Sequence, residues 1–337
     1  RETAREVSEI YKAYNKPENF GMVEDINVHA STQKNREAMY AFFQKHLNNP
    51  GDPVDEEVEL PSNDEIRVTP GGQISTSLNS ETVFSLNRKE AEKLQLKLES
   101  LRNTGDSYKR EVLNSAKKLS GYIEANDIDE PVMTGNIQKN GYMIDKYFIS
   151  GEGNYPVPYL IFTPENPNNK AIIYLHPSGK NTEAEEGGEI EWLVNQGYTV
   201  LAPDMAGTGE TGPGIYQGDA YIENVSYNIW FASMLIGRSI TGIRAGDVNK
   251  LVRILEKYVK PSEISCIAKK ELSPVLLHSA LFTPSISRII LIEPYSSYRS
   301  IVMSRFYKPE FIHSTVPGAL KAYDLPDLAA NLAPKKL

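Results

Sequence analysis

Cysteine is almost missing from this chain. Of its 337 residues only Cys266 is a cysteine, so no disulfide can form within it and a small disulfide-stapled fold is excluded. Long apolar runs are missing too. None approaches the roughly 20 residues that a helix needs to cross a bilayer. Basic clusters are equally scarce. Lys and Arg number 36 against 44 Asp and Glu, a formal charge of −8, which argues against a broad nucleic-acid surface. The five histidines, His29, His46, His176, His278 and His313, are scattered. Without an HExxH or a Cys/His cluster they offer no zinc site, so neither a metal nor a cofactor is expected. An initiating methionine and a secretory leader are also not seen, and Arg1 to Tyr11 read as the interior of a helix. A processing or fragment boundary is therefore expected at the start, and the compartment stays open.

What is present is enough apolar material, 40% of residues, for a sizeable core. Residues 2–14 predict a short helix, Phe20 to Val23 a strand-like piece, and Ser31 or Thr32 the cap of a helix ending near Leu47. That helix carries Met39, Phe42, Phe43 and Leu47 on one face. Residues 48–82, rich in Pro, Gly and acids, read as a linker with one short hairpin. Two amphipathic helices follow, marked by Leu94, Leu98 and Leu101 and then by Tyr108, Val112, Ala116 and Leu119.

From residue 132 the pattern turns to strands. Val132–Lys139, Tyr142–Ser150 and Val157–Thr163 predict consecutive antiparallel strands, and Ala171–Leu175 is a continuous apolar run of the kind buried parallel strands show. Helices are expected near 184–196, 221–258 and 273–282, with strands at Tyr198–Ala202, Ile264–Ala268 and Arg288–Glu293 between them. The alternation points to an α/β fold with a mostly parallel central sheet flanked by helices. After the helix-like segment Leu325 to Leu332 no further strand follows, so the sheet is expected to be incomplete at the C-terminus.

Two motifs are weaker than they look. Gly207 to Gly212 matches GxGxxG, but the strand before it ends near Ala202 and Pro213-Gly214 follows, so it cannot open a helix onto a phosphate. Ser178-Gly179-Lys180 hints at a phosphate loop, yet Tyr174 stands where that motif needs glycine and Asn181 where it needs Ser or Thr.

The run Ile172 to Gly179, the run Ala202 to Thr211, and Leu235 to Ser239 with Arg244 and Asp247 together resemble the α/β-hydrolase superfamily. More narrowly, they resemble the acetyl-xylan-esterase-like hydrolases. The resemblance covers roughly 130–337. It implies that the loop of His176, Ser178 and Gly179 lies on the oxyanion side, and that a serine should stand in Gly-x-Ser-x-Gly on the turn after Ile264–Ala268. In that register Ala268, Lys270 and Leu272 occupy the Gly, Ser and Gly positions. Lysine cannot replace serine in acyl transfer with a histidine base, so Lys270 marks a degenerate nucleophile position. Ser273 is followed by Pro274, which has no N–H to offer an oxyanion, and Ser265 and Cys266 fall within the strand. A Lys270-Glu271 pair on a turn reads as a solvated surface pair.

Residues 20–43 resemble the other end of such a hydrolase, with His29 where the catalytic histidine stands; a surface-loop histidine is the alternative. The expected organisation is then residues 1–50 as the end of one hydrolase domain, 51–105 as linker and helix, and 106–337 as a second domain lacking its last strands. A permuted single domain is the competing arrangement. The resemblance implies carboxylic-ester hydrolysis in the parent protein, on acetylated polysaccharide or a small ester. The partners expected are that substrate and an upstream catalytic domain, with no nucleic acid and no membrane. Export is implied by the resemblance alone. The alternative function is a non-catalytic relative that supports, dimerises or binds glycan.

Overall fold

The computed structural model describes residues 1–125, 128–153, 155–212, 221–223 and 225–333. They fall into two compact units, Arg1–Ser80 and Glu81–Leu337.

The smaller unit contains α1 (Glu2–Ala13), α2 (Gln33–His46) and the single turn α3 (Ile74–Ser77). Thr32 caps α2, its hydroxyl accepting the Asn35 N–H at 3.4 Å. Tyr11 stacks on Phe20 at 5.7 Å, and Asp55 accepts from Arg36 and from the Tyr40 hydroxyl. The strand expected at Phe20–Val23 and the hairpin expected within 48–82 do not form; residues 1–80 contain no strand. Pro17 opens a 3-10 turn up to Asn19, and the few residues after it find no neighbouring strand, without which so short a segment gains nothing over hydration. Pro50, Pro53, Pro61 and Pro70 remove ladder donors from the second segment, and its acidic run is better solvated than paired.

The larger unit begins with α4 (Val83–Arg102) and α5 (Asp106–Ser120). Helix α4, within the 51–105 stretch expected to be linker and helix, falls in the larger unit. Its Leu98 is fully buried, and its Arg102 makes a two-pronged pair with Asp327 at 2.7 and 2.9 Å. Then come β1 (Val132–Lys139), β2 (Tyr142–Ser150), β3 (Pro156–Pro164), β4 (Lys170–Leu175), α6 (Glu189–Asn195) and β5 (Thr199–Pro203). The ribbon β6 (Tyr221–Ile222) and β7 (Val225–Ser226) precedes α7 (Asn228–Leu235) and α8 (Ile240–Ile254). The unit continues with β8 (Glu263–Lys269), α9 (Ser273–Phe282), β9 (Ile286–Ile292), α10 (Tyr298–Met303) and α11 (Leu325–Leu332).

The main sheet has the order β1-β2-β3-β5-β4-β8-β9. Its first three strands are antiparallel to their neighbours and β5, β4, β8 and β9 are parallel. This is a mostly parallel sheet with helices on both faces, an α/β-hydrolase-like fold. On one face α6 covers Ile172, Tyr174, Phe162 and Val200 with Ile190 and Val194. On the other, α5, α8, α9 and α11 bury Ile173, Leu175, Cys266 and Ala268. The long helix expected over 221–258 is broken instead. Gly237 takes φ +74, and the Ser239 hydroxyl caps a fresh start of α8 by accepting the Gly242 N–H at 3.0 Å. Helix α6 likewise starts only after Gly187 and Gly188, not at 184.

Because β4 lies between β5 and β8, the chain leaves it in one direction for β5 and crosses back for β8. In open α/β sheets ligands bind at the carboxyl ends of strands around such a reversal. The loops after β4, β5, β8 and β9 meet there.

Candidate active site

The chain leaves β8 directly into a sharp bend. Lys270 has φ +48, a left-handed conformation unusual for a residue with a side chain, and Lys270–Leu272 form one 3-10 turn before α9 starts at Ser273. Proline at the first turn of α9 suits a helix start, where no N–H is needed. This is a strand–turn–helix, and the side chain at its bend is an ammonium. Lys270 is exposed and stands 3.8 Å from Glu293, itself exposed at the end of β9. The neighbouring hydroxyls and thiol are not presented to solvent. Ser273 is 1% exposed, Cys266 is fully buried inside β8, and Leu272 is fully buried under the turn.

Glu271 follows the bend. Burial pushes its carboxyl above the usual range, opposed by a bond from its own backbone N–H and by the Arg244 charge. The Glu271 carbonyl accepts the Ser314 hydroxyl at 2.8 Å, which ties the turn to the segment before α11.

Across the sheet, His176 ends β4. The Ser178 N–H donates to its Nδ1 at 3.1 Å, so the ring proton of the neutral form is on Nε2. Half-burial first, then the charges of Lys269 and Lys270, lower its pKa. Gly179 takes φ +100, and a Cβ there would stand 2.6 Å from the Asp204 carboxylate. The reason is a network that the sequence did not reveal. Asp204, 1% exposed, accepts the Lys180 ammonium at 2.5 Å, the Lys180 N–H at 2.7 Å and the Glu210 N–H at 3.0 Å. Lys180 is itself buried and also reaches Glu210 at 2.6 Å. The loops after β4 and β5 are therefore clamped together, and the clamp uses the lysine that a phosphate loop would have turned outward.

A second buried lysine also escaped sequence reasoning. Lys269 closes β8 and is 9% exposed, with Nζ 2.7 Å from Glu189 and 3.3 Å from Glu183. Burial alone would depress its pKa, but bonds to Glu189 and Tyr174 raise it. The only advance signal is a lysine at the inner end of an apolar strand. His278 is fully buried in α9 between the Pro274 carbonyl at 2.6 Å and the Tyr323 hydroxyl at 2.9 Å.

His176, Ser178, Gly179 and Lys270 all lie at carboxyl ends of adjacent strands of the larger unit. His29 belongs to the smaller unit, exposed on a run of bends between α1 and α2. Nearby Asp25 is held below the usual carboxylate range, first by the Thr32 hydroxyl, an orientation toward the helix cap. A cavity of about 610 Å³ opens beside Gly207, Tyr155 and Ile240; neither His176 nor Lys270 lines it. Among the described residues no helix is long and apolar enough to cross a membrane, and no group of three or more metal-ligating side chains gathers.

No family model and no curated protein matches the chain by sequence. Solved structures do. A Bacteroides fragilis protein provisionally designated an acetyl xylan esterase superposes with a TM-score of 0.59 at 15% identity, over 76% of this chain and 74% of that one. Acetyl xylan esterase 1 from a Thermoanaerobacterium gives 0.45 at 12% identity, over 67% and 75%. The first of these shows a shared fold; at such identity it is the fold alone that is shared.

Proposed function

We propose that the larger unit is an ester-hydrolase relative that does not itself cleave esters, because Lys270 stands on the bend where the fold offers its serine. The observation that carries this is the φ of +48 at Lys270, directly between β8 and α9. An acyl transfer needs a neutral nucleophile handed its proton acceptor, and a solvated ammonium beside Glu293 is neither. One further feature supports the reading: Leu272, fully buried under the turn, fills the space that a small residue keeps open.

In this reading the parent activity is carboxylic-ester hydrolysis, on acetylated polysaccharide or a small ester, with serine, histidine and backbone donors in their usual roles. A serine-bearing hydrolase unit carries it, His29 serves as that unit's base, and the 81–337 unit supports or docks onto it. Resemblance in residues 20–43 and in the run 172–211 is the support for this part.

Hydrolysis of p-nitrophenyl acetate by the full chain tests it. The expected rate equals buffer for the wild type and for Lys270→Ser alone, since Leu272 remains in the way. Turnover that disappears in His29→Ala, with the fold retained by circular dichroism, would mean that this chain holds a complete site and would sink the proposal.

A further inference from the structure

A second cavity, of about 560 Å³, is not lined by Lys270. Its walls are apolar: Phe84 and Leu94 from α4, Trp230 from α7, Ile301 from α10, and Val316 and Leu320 from the segment before α11. That volume falls within the roughly 300–1,000 Å³ typical of small-ligand sites. Its rim is of one sign. Arg305 and Lys321 both line it and are exposed. Neither has a carboxylate partner among the described residues, and no Asp or Glu lines the cavity. The segment 298–321 carries Arg299, Arg305, Lys308 and Lys321 against Glu310 alone, in a chain whose formal charge is −8.

This asymmetry selects an occupant. A purely apolar guest would leave two cations idle at the mouth. A sugar would meet only scattered polar groups, such as Asn87 and Thr315, on mainly apolar walls, and unpaired polar groups in an apolar cavity are costly. A cationic amphiphile would be repelled at the rim. The geometry points to a binding site for a free amphipathic monocarboxylate, an alkyl chain lying along Leu94, Trp230 and Val316 with its carboxylate between Arg305 and Lys321. Lys270 does not line the site and takes no part in holding the carboxylate, so failure of this proposal would leave the reading of that bend untouched.

Trp230 reports on it. The chain has two tryptophans, and Trp192→Phe removes the other. The full-length Trp192→Phe protein is titrated with dodecanoate below its micelle concentration while Trp230 emission is followed. A saturable change is expected. In Arg305→Glu/Lys321→Glu, whose surface positions leave the fold intact, affinity should drop about tenfold, as two exposed charge contacts allow. Val302→Trp, which fills the cavity, should abolish uptake in a competition assay. The site is refuted if dodecanoate fails to saturate the signal, if dodecyltrimethylammonium binds as tightly, or if the double variant binds as well as the parent. Capture on phosphatidylglycerol vesicles without uptake of free dodecanoate would equally refute it, since the positive rim would then serve a lipid surface.

Discussion

Two neighbouring turns, one after β4 and one after β8, hold their charged side chains in opposite ways. The turn after β4 is built around burial. Lys180 and Asp204 are 7% and 1% exposed, and Gly179 has a backbone that no side chain could share without striking the Asp204 carboxylate. The turn after β8 has a sharp backbone but holds its charges in solvent, for Lys270 and Glu293 are both exposed. The buried turn depends on every member of its network for the fold, whereas an exposed side chain on a bend contributes little to it.

The largest effect expected follows from breaking the first turn. Asp204→Ala would leave the Lys180 ammonium buried with only the more exposed Glu210 for company. Removing one member of a buried pair costs about 3 kcal/mol or more. Urea denaturation should show that loss in its midpoint with little change in slope. Lys270→Ala in the second turn should shift the same midpoint by less than about 0.5 kcal/mol, as exposed pairs do. Equal losses at the two positions would end the contrast.

The helix behind the empty bend is nonetheless held firmly, and acid should reveal it. Burial lowers His278 from 6.5 to about 4, and its Nδ1–H donates to Pro274 while Nε2 accepts the Tyr323 O–H. The unfolded chain therefore binds a proton that the folded one refuses. The stability due to neutral His278 is present above about pH 6.5 and is lost as pH falls toward 4, by about 3 kcal/mol. Asp247 pulls the other way. Burial raises its carboxyl to about 7, so the folded state holds a proton there that the unfolded chain releases, and its contribution improves as pH falls. Subtracting the pH profile of His278→Gln from that of the wild type isolates the histidine. A difference that stays flat between pH 7 and 4 would show that His278 takes up its proton in the fold at the same pH as in the unfolded chain.

Much of this was legible in the residues themselves. Val132–Lys139 and Tyr142–Ser150 form as read, because alternation and a Gly-containing turn leave one register that buries Tyr142 and Ile144. Helix α9 forms over the residues expected, since Pro274 fits its first turn and the apolar run beyond is long enough. The bend at Lys270 follows from counting along β8 and into α9. What stayed hidden was long-range. Nothing local says that Lys180 is buried, because its partner is 24 residues away and lysine is ordinarily solvated. The strand expected at Phe20–Val23 had the right residue types but no neighbour to pair with, and pairing is not written in four residues. The break in α7–α8 was signalled by Gly237 and Ser239, which the apolar pattern around them outweighed.

The smallest effect concerns the backbone of the bend itself. Lys270 holds φ +48 with a Cβ that resists it, and its side chain gains only a solvated contact at 3.8 Å in exchange. Glycine visits that region without the steric cost, though it gives up more conformational freedom on folding. The two terms nearly cancel, leaving Lys270→Gly more stable by up to about 1 kcal/mol where Lys270→Ala is neutral. At most other exposed positions glycine is the worse choice, so the sign of that difference in urea midpoint is the informative quantity. A Gly variant less stable than the Ala variant would mean that the left-handed turn is not what the chain adopts in solution. The strand–turn–helix frame on which the contrast between the two turns depends would fall with it.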